Sequence, residues 1–205
     1  MVKIEKPCAL DALTAIMARL RTECPWDAEQ THASIRSNMV EEACEAAEAI
    51  DLADDTLLCE ELGDVLLQVI FHATMAAERS AFTIEDVIAQ ICNKLIERHP
   101  HVFGDIAVDG SDHVLRNWEQ IKSDGKGHTT LRDELDSVSK ALPGLMRLQK
   151  LVKKITKAGM SLPDIDGYQA QLISLAQDAN ADDVDLETAA ADACRTIIQS
   201  ASADF

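Results

Sequence analysis

Apolar side chains in this chain recur at intervals of three and four along nearly its whole length. That period fits amphipathic helices, and no stretch alternates as a half-buried strand would. Leu10, Leu13, Met17 and Leu20 stripe one helix over residues 9–21, which stops where Cys24-Pro25-Trp26-Asp27 interrupts the pattern, with a loop following. A second helix is expected over 34–51. Asp54-Asp55-Thr56 then offers a side-chain oxygen to cap a third, over 57–79, striped by Leu58, Leu62, Val65, Val69, Ala73 and Ala76. Thr83 and Asp86 are spaced as a capping box for a fourth, running to His99 before Pro100, with 101–110 left as a loop. A fifth covers 111–123, and Gly125-Lys126-Gly127 reads as a linker. Beyond it, helices are expected at 144–158, 168–179 and 186–201. The fold class is all-α, in two parts divided at 127/128.

Composition narrows the function. The 205 residues carry a formal net charge of −17, which repels nucleic-acid backbones and anionic lipid, so neither is an expected partner. With 47% hydrophobic residues against 27% charged, the chain can bury a core and is not of the disordered class. The 6 cysteines form no Cys-x-x-Cys pair, and the N-terminal residues lack the apolar stretch of a secretion signal. A reducing cytoplasm is the expected setting, with the cysteines acting as small hydrophobes.

The chemistry-bearing feature is a repeated acid pattern. Glu41-Glu42-Ala43-Cys44-Glu45 and Glu60-Glu61-Leu62-Gly63-Asp64 both read E-E-x-x-[ED], on two successive predicted helices. Residues three apart share a helix face, so Glu42 pairs with Glu45 and Glu61 with Asp64. A short connection makes the helices antiparallel neighbours, and the two pairs would then meet. Carboxylates gathered in this way repel unless a cation joins them. An all-oxygen set suits Mg²⁺, with Mn²⁺ as a substitute, better than Zn²⁺, and Mg²⁺ commonly bridges to phosphates. Glu-rich helix faces are also often merely solvated. Gly63 inside a helix costs about 1 kcal/mol relative to Ala, which suggests a backbone that something approaches closely.

An anionic ligand needs cations and a stacking surface. Lys94 and Arg98 are four apart near one helix end, and Trp118 and Lys122 are four apart on the next. Each has a plain structural reading as well: a helix-dipole complement, a core indole. His99-Pro100-His101 reads as structural more readily than as a metal pair, and His72 as a core histidine.

Taken in order, these segments resemble one family. Cys24-Pro25-Trp26-Asp27-x-x-Gln30-Thr31-His32, Glu41-Glu42-x-x-Glu45, and Glu60-Glu61-Leu62-Gly63-Asp64 with Leu66-Leu67-Gln68-Val69 come first. Lys94-Leu95-Ile96-x-Arg98-His99-Pro100-His101-Val102-Phe103-Gly104-Asp105 and Trp118-Glu119-x-Ile121-Lys122 follow. Together they resemble MazG nucleoside triphosphate pyrophosphohydrolases over about residues 9–126. Ala81 stands where a turn glycine is expected.

The resemblance implies a MazG-like helical bundle with metal ligands Glu42, Glu45, Glu61 and Asp64. It implies hydrolysis of a nucleoside triphosphate between the α and β phosphates, giving a monophosphate and pyrophosphate. Nucleotide contacts would fall on Asn38, Glu41, Glu60, Lys94, Arg98, Trp118 and Lys122, with Glu60 or Glu41 as the candidate catalytic base. A homodimer is expected. Two other readings stand beside it: a module that binds Mg²⁺–nucleotide without turnover, and a dUTPase-type enzyme of narrow base choice.

Residues 128–205 resemble a degenerate, truncated second half. Leu142-Pro143-Gly144-Leu145-Met146-Arg147 and Lys157-Ala158-Gly159-Met160 match its opening. Ala189-Ala190-Ala191-Asp192 then stands where Glu-x-x-Asp is expected and keeps a single acid. The working half is therefore expected to be residues 1–127. The basic stripe Arg147, Lys150, Lys154 and Lys157 reads as a solvated face, or as a surface set against acids of the first half.

Overall fold

The computed structural model describes residues 10–125 and 130–202, and every regular element among them is a helix. In chain order these are α1 (Leu10–Glu23), α2 (Pro25–Glu29), α3 (Arg36–Asp51), α4 (Asp55–Glu78), α5 (Ile84–Arg98) and α6 (Pro100–Phe103). Then come α7 (Ser111–Asp124), α8 (Leu131–Asp136), α9 (Gly144–Lys157), α10 (Gly167–Ala181) and α11 (Leu186–Ser202). The all-α expectation holds.

Helix starts follow the local chemistry. The Asp54 carboxylate accepts from the N–H groups of Thr56 and Leu57 at 2.9 and 3.0 Å, satisfying two donors at the head of α4. Thr83 and Asp86 form the reciprocal capping box that opens α5. Two expected loops are short helices instead. Pro25 and Pro100 each occupy a first-turn position, where the missing N–H costs nothing and the fixed φ already suits a helix. Each proline therefore ends one helix and starts the next. A second capping box, Thr130 with Asp133, opens α8.

Packing divides the chain into two compact units, Met1–Asp109 and Gly110–Phe205. This differs from the expected division at 127/128. Within the second unit, Glu119 of α7 forms an ion pair with Lys157 of α9. The basic stripe on α9 is thus partly neutralised: Lys157 meets Glu119, and Lys154 lies 3.1 Å from Glu134. The second unit is built on Val152, Ala176, Ala179 and Leu186, contributed by α9, α10 and the start of α11.

In the first unit, the turn Leu52-Ala53-Asp54 folds α3 back along α4, with Ala53 in the left-handed region at φ 52°. Met17, Ile35, Ile70, Phe71, Ala73, Met75 and Ile84 make the core. Along α4 the buried residues run from Gln68 to Ala76, so the helix is anchored by its second half while its acidic first half stays near solvent. No helix among the described residues is long and apolar enough to cross a membrane.

Candidate metal centre

The α3–α4 pairing brings acids from both helices together. Ligand oxygens of Glu42, Glu45 and Glu61 all lie within 4.8 Å of one another. Asp64 falls outside that trio, although its charge is felt at both Glu42 and Glu61. Burial and then the charges of Asp64 and Glu45 push the Glu42 carboxyl above its ordinary range, with Glu41 contributing least. Burial, Glu45, Asp64 and Glu60, in that order, push Glu61 the same way. Each shift records a negative charge that its neighbours resist.

The donor set fits a hard divalent cation, since every candidate ligand is a carboxylate oxygen. Oxygens on opposite sides of one Mg²⁺ stand about 4.2 Å apart, twice the usual bond of about 2.1 Å. A spread of up to 4.8 Å therefore needs only small side-chain rotations to close around an ion.

The remaining expected site residues are spread over several helices. Glu41 and Glu60 are exposed next to the trio members Glu42 and Glu61, and Asn38 is half-buried one turn before Glu41 on α3. Lys94 is exposed and Arg98 half-buried on α5. Trp118 and Lys122 lie on α7, in the second unit, where the Lys122 ammonium sits 4.6 Å from the centre of the Trp118 ring. That cation–π contact brings together the two side chains expected to serve base and phosphate. At Gly63 an added Cβ would meet nothing within 4 Å, so no described part of the chain approaches that backbone closely. His99 donates from Nδ1 to the Leu95 carbonyl at 2.6 Å, a structural role in keeping with the sequence.

Three arrangements had no sequence signal. Arg21 is a hub: its guanidinium makes a fork on Glu78 at 2.6 and 2.7 Å and donates to the carbonyls of Asp27, Ala28 and Gln30. It thereby fastens the α2 segment to α4. His32 and His72 stack face to face, their Nδ1 atoms 2.7 Å apart. Gln68, buried on α4, has its amide nitrogen 3.5 Å from a Glu42 oxygen. Glu42-x-x-Glu45 and Glu61 could be found by helical spacing, but these three pairs join residues far apart in sequence.

Antiparallel helices that carry acids at i, i+3 spacing and focus them on one point define an all-α, carboxylate-lined class of candidate metal proteins. Residues 30–103 match the MazG nucleotide pyrophosphohydrolase domain. The chain is 44% identical over 153 residues to the nucleoside triphosphate pyrophosphohydrolase of Escherichia coli K12, covering 73% of this chain and 58% of that protein. It is 42% identical over 164 residues to the nucleoside triphosphate pyrophosphohydrolase/pyrophosphatase MazG of Thermotoga maritima, covering 79% and 62%. A 26.1 kDa uncharacterized protein of Streptomyces cacaoi is 38% identical over 179 residues, covering 85% of this chain and 73% of its own. The chain belongs to the MazG family. It spans about three-fifths of the length of the E. coli and T. maritima relatives.

Proposed function

We propose that this protein hydrolyses nucleoside triphosphates to the monophosphate and pyrophosphate in a Mg²⁺-dependent reaction. The observation that carries the reading is the meeting of Glu42, Glu45 and Glu61 from two helices within 4.8 Å. The names of the E. coli and T. maritima relatives support the substrate class. Glu42, Glu45 and Glu61 would hold the cation, with Asp64 completing the set by a side-chain rotation. A bound divalent ion supplies charge neutralisation on the phosphates and favours ionisation of water.

The other roles belong to the chain's own groups. Glu60 or Glu41, exposed beside the ligands, accepts the proton of the attacking water. Arg98, Lys94 and Lys122 bind phosphate oxygens, Arg98 by its planar fork and the lysines as point charges. Trp118 offers a face for the base and Asn38 a hydrogen-bonding amide. Hydrolysis forms a bond between water oxygen and the α-phosphorus, and the β-phosphate oxygen leaves with pyrophosphate. Residues 128–205 are read as a second half without a ligand set.

A homodimer in the cytoplasm completes the proposal. Val40, Leu62, Leu66, Ile88, Ile91 and Leu95 are large apolar side chains left exposed on α3, α4 and α5, and a second copy would cover them. The cysteines among the described residues are all free thiols, which agrees with a reducing compartment.

The test is pyrophosphate release from mixed nucleoside triphosphates, with and without Mg²⁺, for the wild type and Glu61→Gln. Wild-type release should require the metal, and Glu61→Gln should lower turnover by about 10²-fold or more while its circular dichroism stays helical. Near-normal turnover of Glu61→Gln would refute the site, and tight nucleotide binding without release would refute hydrolysis.

A further inference from the structure

Gln68 is 5% exposed, and among the described residues it is the one polar side chain buried in the core. It follows Asp64 by four residues and Glu61 by seven, so all three share a face of α4. Leu67, Val69 and Ile70 flank it and pack in the core. A leucine at 68 would satisfy the same surroundings without a buried amide that needs hydrogen-bond partners. The amide has half of what it needs. Its nitrogen points at Oε1 of Glu42, 3.5 Å away, while its own oxygen is buried with no partner.

The orientation is chemically determined. Turning the amide over would set its oxygen against a carboxylate oxygen, two acceptors with no hydrogen between them. With nitrogen toward Glu42, the amide donates to the carboxylate and leaves its buried oxygen as an acceptor without a partner. A neutral amide serves here as a cation could not, because it steadies Glu42 without competing for its charge. Carboxylates that bind metals are commonly held in this way by a neighbouring hydrogen bond.

We propose that Gln68 is a positioning residue for the divalent-cation site, holding the Glu42 carboxylate by its amide nitrogen and accepting from hydration water of the cation by its amide oxygen. This rests on the reading of Glu42, Glu45 and Glu61 as a cation site. It gives the unpartnered amide oxygen a donor that arrives with the ion.

The experiment measures Mn²⁺ binding to the full chain without nucleotide, by electron paramagnetic resonance of free Mn²⁺, for wild type, Gln68→Met, Gln68→Leu and Glu61→Gln. Thermal melts of the metal-free proteins run alongside. Gln68→Met keeps the length of the side chain and removes both polar ends, and Gln68→Leu is the second apolar variant should the first misfold. The expected result is a 10- to 100-fold loss of Mn²⁺ affinity in a folded apolar variant. Its metal-free melting temperature should equal or exceed that of wild type. A residue of merely structural importance would lower the melting temperature and leave affinity alone. Binding within twofold of wild type in either folded variant overturns the role of Gln68 while leaving the cation site intact. Wild type and Glu61→Gln both failing to bind Mn²⁺ would overturn the site itself, and the role with it.

Discussion

Arg21→Ala should be among the most damaging single substitutions in the first unit, although residue 21 belongs to no acid pattern. The side chain is 10% exposed and serves two structures at once. Its fork binds Glu78 at the end of α4, and its Nη1 donates to three carbonyls of the α2 segment. Removing it leaves the partly buried carbonyls of Asp27 and Gln30 without this donor, at about 1 kcal/mol each. Glu78 is 43% exposed and rehydrates, so the ion pair itself contributes only about 1 kcal/mol. The sum is about 3 kcal/mol, a large part of the roughly 5–15 kcal/mol that holds an ordinary domain together. Arg21→Lys should recover less than half, because one ammonium cannot span a carboxylate and a row of carbonyls together. Urea unfolding checks this in a Trp118→Phe background, where Trp26 on α2 reports the first unit alone. With a slope of about 2 kcal/mol per molar urea, the midpoint should fall by about 1.5 M. A midpoint within 0.3 M of the parent (about 0.6 kcal/mol on the same slope) would refute the hub.

Two further outcomes concern pH. Burial and then the neighbouring His32 hold the His72 imidazole below its ordinary value, so the unfolded chain takes up a proton that the folded chain resists. Stability conferred by this pair is present above the unfolded value of about 6.5 and is lost as the pH falls from there through the lowered folded value. Unfolding free energies from pH 5 to 8 should show that loss in wild type and not in His72→Phe; parallel curves would refute it. The acid trio has the opposite sign. Glu42 and Glu61 are raised in the folded state, so their contribution is intact below the ordinary carboxylate range and is lost as the pH rises through the raised values. Metal-free Glu61→Gln should therefore melt higher than wild type at pH 7, with the gap closing at pH 4 and reversing in excess Mn²⁺. A lower melting temperature for the metal-free variant at pH 7 would contradict the repulsion.

Local chemistry explains which parts of the molecule the sequence discloses. Asp54, Thr83 and Asp86 act on N–H groups two or three residues away, so their caps can be read directly. The facing of Glu42 and Glu45 follows from helical spacing, and their meeting with Glu61 follows from a short turn. Pro25 and Pro100 are ambiguous, because a proline that stops one helix is equally suited to begin another. The Arg21–Glu78, His32–His72 and Gln68–Glu42 pairs join residues 57, 40 and 26 positions apart, and no local period encodes them. The division at Asp109 likewise has no local marker in the sequence, whose linker-like glycines stand at 125 and 127.

The uneven burial of α4 separates two kinds of change that a protein can undergo. Its stretch from Gln68 to Ala76 holds its buried residues, while Glu60, Glu61 and Asp64 stand on the first half, where α4 packs along α3 with these acids left exposed or half-buried. Substitutions of those unburied acids can retune ion preference or abolish it without endangering the folded chain. A scaffold of this kind can lose its activity and survive, leaving an intact helical body available for other work.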